Sequence, residues 1–173
     1  MLYKIISAVI GWLLVLTGYC MAFTLTSTAF QEAAAIPVRF SCDGADLSPA
    51  LSWDAPPNNT QSFALICDDP DAPGKIWVHW VIYNIPKSAK GLVEAVVPEK
   101  SLPDGTRQGI NDFGRIGYGG PCPPKGAPHR YVFTLYALDT VLILDSGVTK
   151  EALLRAMEGH VLSQTKLMGT YKR

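Results

Sequence analysis

Two short stretches hold residue types that can do chemistry together. The first is Asp68-Asp69-Pro70-Asp71-Ala72-Pro73, followed by Trp77-Val78-His79-Trp80. The second is Gly119-Gly120-Pro121-Cys122-Pro123-Pro124-Lys125-Gly126, followed by His129-Arg130-Tyr131. Imidazoles, a tyrosine hydroxyl and the backbone N–H groups of Gly119-Gly120 suit a small anion such as phosphate. Asp69 suits either of two tasks: orienting an imidazole, or accepting from an amine or hydroxyl of a ligand. Plainer readings stand beside these. Aspartates in a proline-stiffened turn hydrogen-bond their own backbone, and a lone histidine on an apolar strand face is more often a satisfied core residue. Two histidines, each following a proline-rich turn and each leading a strand, favour one pocket flanked by both. On this reading His79 is the floor, Asp69 one wall, and the Gly120 segment with His129 and Tyr131 the facing wall. Asp71 holds the turn.

Reaction chemistry finds less support. No Gly-x-Ser-x-Gly elbow is present and no serine lies beside either histidine, so no nucleophile is marked. The chain is therefore expected not to be an enzyme. The catalytic alternative is a hydrolase or isomerase with His79 or His129 as base. Asp69, Asp71, His79 and His129 match no zinc or EF-hand spacing, and no metal or cofactor is expected.

The elements that must position these residues read mostly as strands. Ser62 to Cys67 is apolar on both faces, as in a buried central strand. Ile76 to Ile85 is rich in β-branched and aromatic residues. Strict alternation puts Trp77, His79, Val81 and Tyr83 on one face and Val78, Trp80, Ile82 and Asn84 on the other. Arg130 to Leu138 is a third strong strand; His129 and Tyr131 share a face, and Arg130 points away as an ion-pair partner. Phe23–Ser27, Ile36–Phe40, Leu51–Trp53 and Gly91–Val97 read as shorter extended pieces. Residues 108–126, dominated by glycine and proline, read as a long surface loop. Thr149 caps a helix from Lys150, with Leu153, Leu154 and Met157 as its apolar stripe. Gly159 ends or kinks it, and Val161, Leu162 and Leu167 suggest a second helical piece. The sum is a mainly β domain with antiparallel sheets, long loops and C-terminal helices.

Composition excludes some partners. With 15 basic and 15 acidic residues in a chain of 173, there is no basic footprint for nucleic acid. The first 22 residues carry one charge, Lys4, then an apolar run from Ile5 to about Leu16 and the small-residue pattern of Cys20-Met21-Ala22. That layout predicts a secretory signal peptide over residues 1–22, cleaved after Ala22, and a domain over 23–173 that is periplasmic or secreted. An uncleaved membrane anchor and a lipid attachment at Cys20 are the alternatives. Export leaves Cys42, Cys67 and Cys122 in an oxidising compartment. Cys67 ends an apolar run and reads as a small buried hydrophobe. Cys42 and Cys122 lie in turn-rich segments and either bridge or stay free.

Asp69-Pro70-Asp71-Ala72-Pro73, His79, Gly120-Pro121, Pro123-Pro124-Lys125-Gly126 and His129-Arg130-Tyr131 resemble the phosphatidylethanolamine-binding protein family. Cys42-Asp43-Gly44, Ser48-Pro49, Asn111-Asp112-Phe113-Gly114 and Gly120 to Pro124 look like its bacterial branch of Raf kinase inhibitor-like proteins. The resemblance runs from about Phe23 to the C-terminus. It implies a large antiparallel sheet packed with a smaller sheet and peripheral helices; family members often have cis peptide bonds near the acidic turn, and the prolines here permit one. It also implies a pocket for small anions or phospholipid head groups, made here by Asp69, Pro73, His79, Gly120, Pro121, His129 and Tyr131. A homodimer is also compatible with it. The alternative is a protein-interaction or inhibitor module acting through residues 108–126, with the pocket vestigial.

Overall fold

The structure, a computed structural model, describes residues 22–173. The expected leader lies, apart from Ala22, outside the described residues. Eight strands and one helix follow in order: β1 (Thr24–Ser27), β2 (Leu51–Asp54), β3 (Ser62–Asp69), β4 (Trp77–Pro86), β5 (Gly91–Leu92), β6 (Arg107–Gln108), β7 (His129–Leu138), α1 (Lys150–Met157) and β8 (Val161–Tyr171). They form a five-stranded sheet, ordered β6-β4-β3-β7-β8, and a three-stranded sheet, β1-β2-β5. All strand pairs are antiparallel.

β3 lies at the centre because its sequence can be buried on both faces. Phe63, Leu65 and Cys67 pack toward the small sheet with Trp53, Trp80, Phe133 and Leu135. Ala64 and Ile66 pack on the other face with Val81, Tyr83 and the helical residues Leu153 and Met157. The large sheet is thus covered by the small sheet on one side and by α1 on the other. α1 starts where expected: the Thr149 hydroxyl accepts from the Ala152 N–H. Among the described residues no helix is long and apolar enough to cross a membrane.

Five local expectations are corrected. The second C-terminal helix is instead β8. Gly159 (φ +79°) ends α1 in the left-handed region, and the chain returns as an edge strand paired with the whole of β7. An edge strand buries few residues, so its period of two is faint: Leu167 is buried while Val161 and Leu162 stay exposed. The extended reading of Ile36–Phe40 gives way to a 3-10 helix at Val38–Phe40, which buries Phe40. The extended piece from Gly91 shrinks to β5. All peptide bonds among the described residues are trans.

The fifth correction concerns β4. Cys67 pairs with Trp80 and Asp68 with Val78, so His79 has no partner on β3 and forms a β-bulge. A second irregularity follows at Tyr83 and Asn84, where Asn84 takes φ +55°. The strict alternation therefore fails. Trp80 and Ile82 join the core under the small sheet, whereas Val78, Val81 and Tyr83 face α1.

Leu153 is fully buried between α1 and the sheet. Leu153→Ala should lower unfolding free energy by about 2–5 kcal/mol, read as a shifted urea midpoint at unchanged slope. A loss under about 1 kcal/mol would contradict this packing.

Candidate functional site

The C-terminal end of β3 and the starts of β4 and β7 meet at one end of the large sheet. Asp69 closes β3, and its two oxygens do different work. Oδ1 accepts from the Asp71 N–H at 2.8 Å, which shapes the acidic turn. Oδ2 accepts from His129 Nδ1 at 2.7 Å. Asp69 is only 3% exposed, so both bonds offset the cost of burying a carboxylate. Asp71 then ties the turn to β7. Its Oδ2 accepts from the Arg130 N–H and Nε, each at 2.9 Å, and its Oδ1 from Nη2 at 2.7 Å. That bidentate pair holds the Asp71 carboxyl down to about 2.

His79 is 2% exposed. Its Nδ1 lies 2.6 Å from the Gly119 carbonyl oxygen, which can only accept, so Nδ1 carries the proton. The Gly119 N–H returns a bond to the His79 carbonyl at 2.9 Å. Burial lowers the His79 pKa below the usual imidazole value, against the opposing pull of the Gly119 carbonyl and the Asp69 charge. Phe113 and Tyr131 meet its ring edge-on at centroid distances of 5.3 and 5.1 Å.

A cavity of about 170 Å³ opens among these residues. Asp69, His79 and His129 supply its polar groups; Ala72, Pro73, Trp77 and Phe113 line one side, and Cys122, Pro123 and Pro124 another. Larger depressions exist elsewhere, of about 580 Å³ beside Asp46 and Arg115 and about 660 Å³ beside Arg107 and Asp145, but no histidine lines either. The small cavity is the chemically provided one. Among the described residues no group of three or more His, Cys, Asp or Glu side chains is placed to hold a metal ion.

Asp69, Pro73, His79 and His129 thus come together at one cavity. Gly120, Pro121 and Tyr131 lie behind its surface. The Gly120 N–H donates to Asp46 Oδ1 at 2.6 Å, and a Cβ there would meet the Phe40 carbonyl oxygen at 2.4 Å. The expected use of the Gly119 and Gly120 N–H groups as anion donors is therefore corrected: both are already bonded within the protein. The Pro121 carbonyl accepts from the Cys42 N–H at 3.1 Å. Tyr131 is fully buried; its hydroxyl has no partner among the described residues, and burial raises its pKa. It supports the His79 ring rather than lining the cavity.

Residues 108–126 do not form the surface loop expected. They run along β4, with Gly109 and Asp112 N–H groups donating to the Val81 and Val78 carbonyls, and Gly117 to Pro121 are buried. This course brings Phe113 to one side of the cavity and Cys122 to the other. Cys42 and Cys122 are joined by a disulfide across a separation of 80 residues, and Cys67 is free and buried. Sequence reasoning gave no ligand role to Trp77, Phe113 or Cys122. Their signals were present: Trp77 shares the His79 face, and the other two lie in quoted motifs.

Two outcomes test this geometry. Gly120→Ala should destabilise by about 1–3 kcal/mol, because backbone atoms block the added methyl group; an unchanged urea midpoint would rule out the close approach. A histidine held neutral by burial binds fewer protons folded than unfolded, so stability falls as pH drops below about 6.5. His79→Gln should flatten that fall in a pH series of melting temperatures. An equal slope in the variant would refute the burial effect.

A family model described as phosphatidylethanolamine-binding protein matches residues 26–172. A UPF0098 protein of Methanothermobacter thermautotrophicus is 58% identical over 86% of this chain and 98% of its own length. One from Aquifex aeolicus is 46% identical over 85% and 86%. The crystal structure of a phosphatidylethanolamine-binding protein homologue from Chlamydia trachomatis superposes with a TM-score of 0.80 at 43% identity, covering 88% of this chain and 98% of that one. E. coli YbcL, described as a member of the mammalian PEBP family, superposes at 0.81 with 33% identity, covering 87% and 98%.

Proposed function

The chain belongs to the phosphatidylethanolamine-binding protein family, and from that premise we propose that its cavity binds a small anion or a phosphorylated head group. At the coarser level, family and fold support a ligand-binding or regulatory protein of this kind. The observation that carries the finer reading is the convergence of His79, His129 and Asp69 on one cavity of about 170 Å³. With about 30 Å³ per water, that volume holds roughly five waters. It is below the roughly 300–1,000 Å³ of pockets for drug-sized ligands. A phosphate or head group fits; acyl chains would stay outside.

Both histidines line the cavity, and at His79 a bound anion would offset the burial that disfavours the imidazolium in the free protein. Each uses Nδ1 within the protein, which leaves Nε2 for a ligand. On a neutral ring Nε2 only accepts; on an imidazolium it donates. Anion affinity therefore rises as pH falls.

Export to the periplasm or the exterior is part of the proposal, supported by the Lys4 and Ile5–Leu16 layout and by a disulfide suited to an oxidising compartment. If a protein partner or a second copy engages residues 108–126, its contact surface is confined to the exposed Gly114-Arg115 and the Pro124–Gly126 rim.

Calorimetry with phosphate and phosphoethanolamine at about pH 5.5 and about pH 8 should show tighter binding at the lower pH. His79→Ala should lose about tenfold or more in affinity, near 1.4 kcal/mol. Equal binding by the variant and the parent chain would remove His79 from the site, and a flat pH profile would exclude imidazolium contact.

A further inference from the structure

The Cys42–Cys122 bond does not sit in the core as a staple. Cys42 is exposed and Cys122 half-buried, and Cys122 lines the cavity that holds His79 and His129. Its sulfur is 3.7 Å from Arg173 Nη1. The same guanidinium pairs with Asp43, next to Cys42, at 3.1 Å. The Arg173 carbonyl accepts from the Gly126 N–H at 3.4 Å, two residues after the cavity-lining Pro124. An accessible disulfide, a fixed cation beside one sulfur and a ligand cavity are thus one cluster.

That arrangement has a chemical reading. The better leaving sulfur in thiol–disulfide exchange is the one whose thiolate is stabilised, and a neighbouring guanidinium stabilises it. The attacked sulfur must be reachable, and Cys42 is the exposed residue of the pair. We propose that Cys42–Cys122 is a thiol–disulfide exchange site for a dithiol reductant, and that its redox state controls anion binding in the adjacent cavity.

One thiolate of the dithiol attacks Cys42 Sγ and forms a mixed disulfide. The Cys42–Cys122 bond breaks, and its electron pair leaves on Cys122 as a thiolate beside Arg173. The second thiolate of the dithiol then attacks its own sulfur in the mixed disulfide, closes the reductant's disulfide and expels the Cys42 thiolate. Two electrons pass to the protein. The two protons lost by the dithiol go to the cysteine thiolates or to solvent.

Reduction changes the cavity in two ways. Pro123 and Pro124 lose their covalent tie to the Cys42 loop; what remains upstream is non-covalent, through the Pro121 carbonyl, the Gly120 N–H, the Tyr118 hydroxyl and Arg115. The Cys122 thiolate also places negative charge against a site for anions. The oxidised form is the binding form. This second half rests on the anion reading; the exchange site itself does not.

The test uses the oxidised full chain under native conditions with dithiothreitol, followed by alkylation and intact mass, with circular dichroism to report folding. Both thiols should appear while the fold persists, and Arg173→Gln should slow their appearance about tenfold, with Arg173→Lys restoring most of the rate. Reduction only in denaturant that unfolds the chain, or an Arg173→Gln rate equal to the parent's, overturns the exchange site. Calorimetry with inorganic phosphate on the two redox forms tests the control: about tenfold weaker binding after reduction supports it, and equal binding overturns it. Binding to neither form sinks the anion reading, while the alkylation rates still decide the exchange site.

Discussion

Asp69 is the point on which the functional end of this molecule depends. A carboxylate 3% exposed is costly to bury unless its oxygens are bonded. Here one oxygen folds the acidic turn through the Asp71 N–H, and the other holds His129 at the start of β7. One side chain thus shapes the turn after β3 and orients an imidazole on the neighbouring strand. The Asp71–Arg130 pair repeats the β3-turn-to-β7 link on the more exposed side. The turn is therefore held by two carboxylates with distinct partners.

The opposite side of the cavity comes from a segment with little regular structure of its own. Residues after β6 lie along β4 and exchange backbone bonds with Val81, Val78 and His79. That pairing is possible because β4 bulges at His79, which frees its ring to meet Gly119, Phe113 and Tyr131. Glycine is needed where the segment passes closest to other backbone: Gly120 leaves no room for a Cβ against Phe40. The disulfide then joins this segment to the loop after the 3-10 helix. Fold and cavity rim are in this sense one construction.

Strong strands were readable because their burial is two-sided. Ser62–Cys67 and the aromatic run from Trp77 carry enough apolar residues to announce themselves, and the Thr149 cap announced α1. β8 was misread as helix because an edge strand with few buried residues leaves a faint period. The site was half legible. Asp69, His79 and His129 stood out as reactive types near prolines, and Pro73 came with the family motif. Gly120, Pro121 and Tyr131 lie one layer behind the cavity lining, since motif proximity does not say which atoms reach a cavity.

Sequence alone determined the family resemblance, the mainly β architecture, the Asp–His chemistry and the helix start. These rest on residue type and on short-range spacing, which a chain carries before it folds. Tertiary structure decided the His79 bulge, the burial of the 108–126 segment along β4, the bonding of Cys42 to Cys122 and the use of the Gly119 and Gly120 N–H groups inside the protein. Each of these depends on partners distant in the chain, whose approach is set by how two sheets and a helix share one core. No local period records that approach.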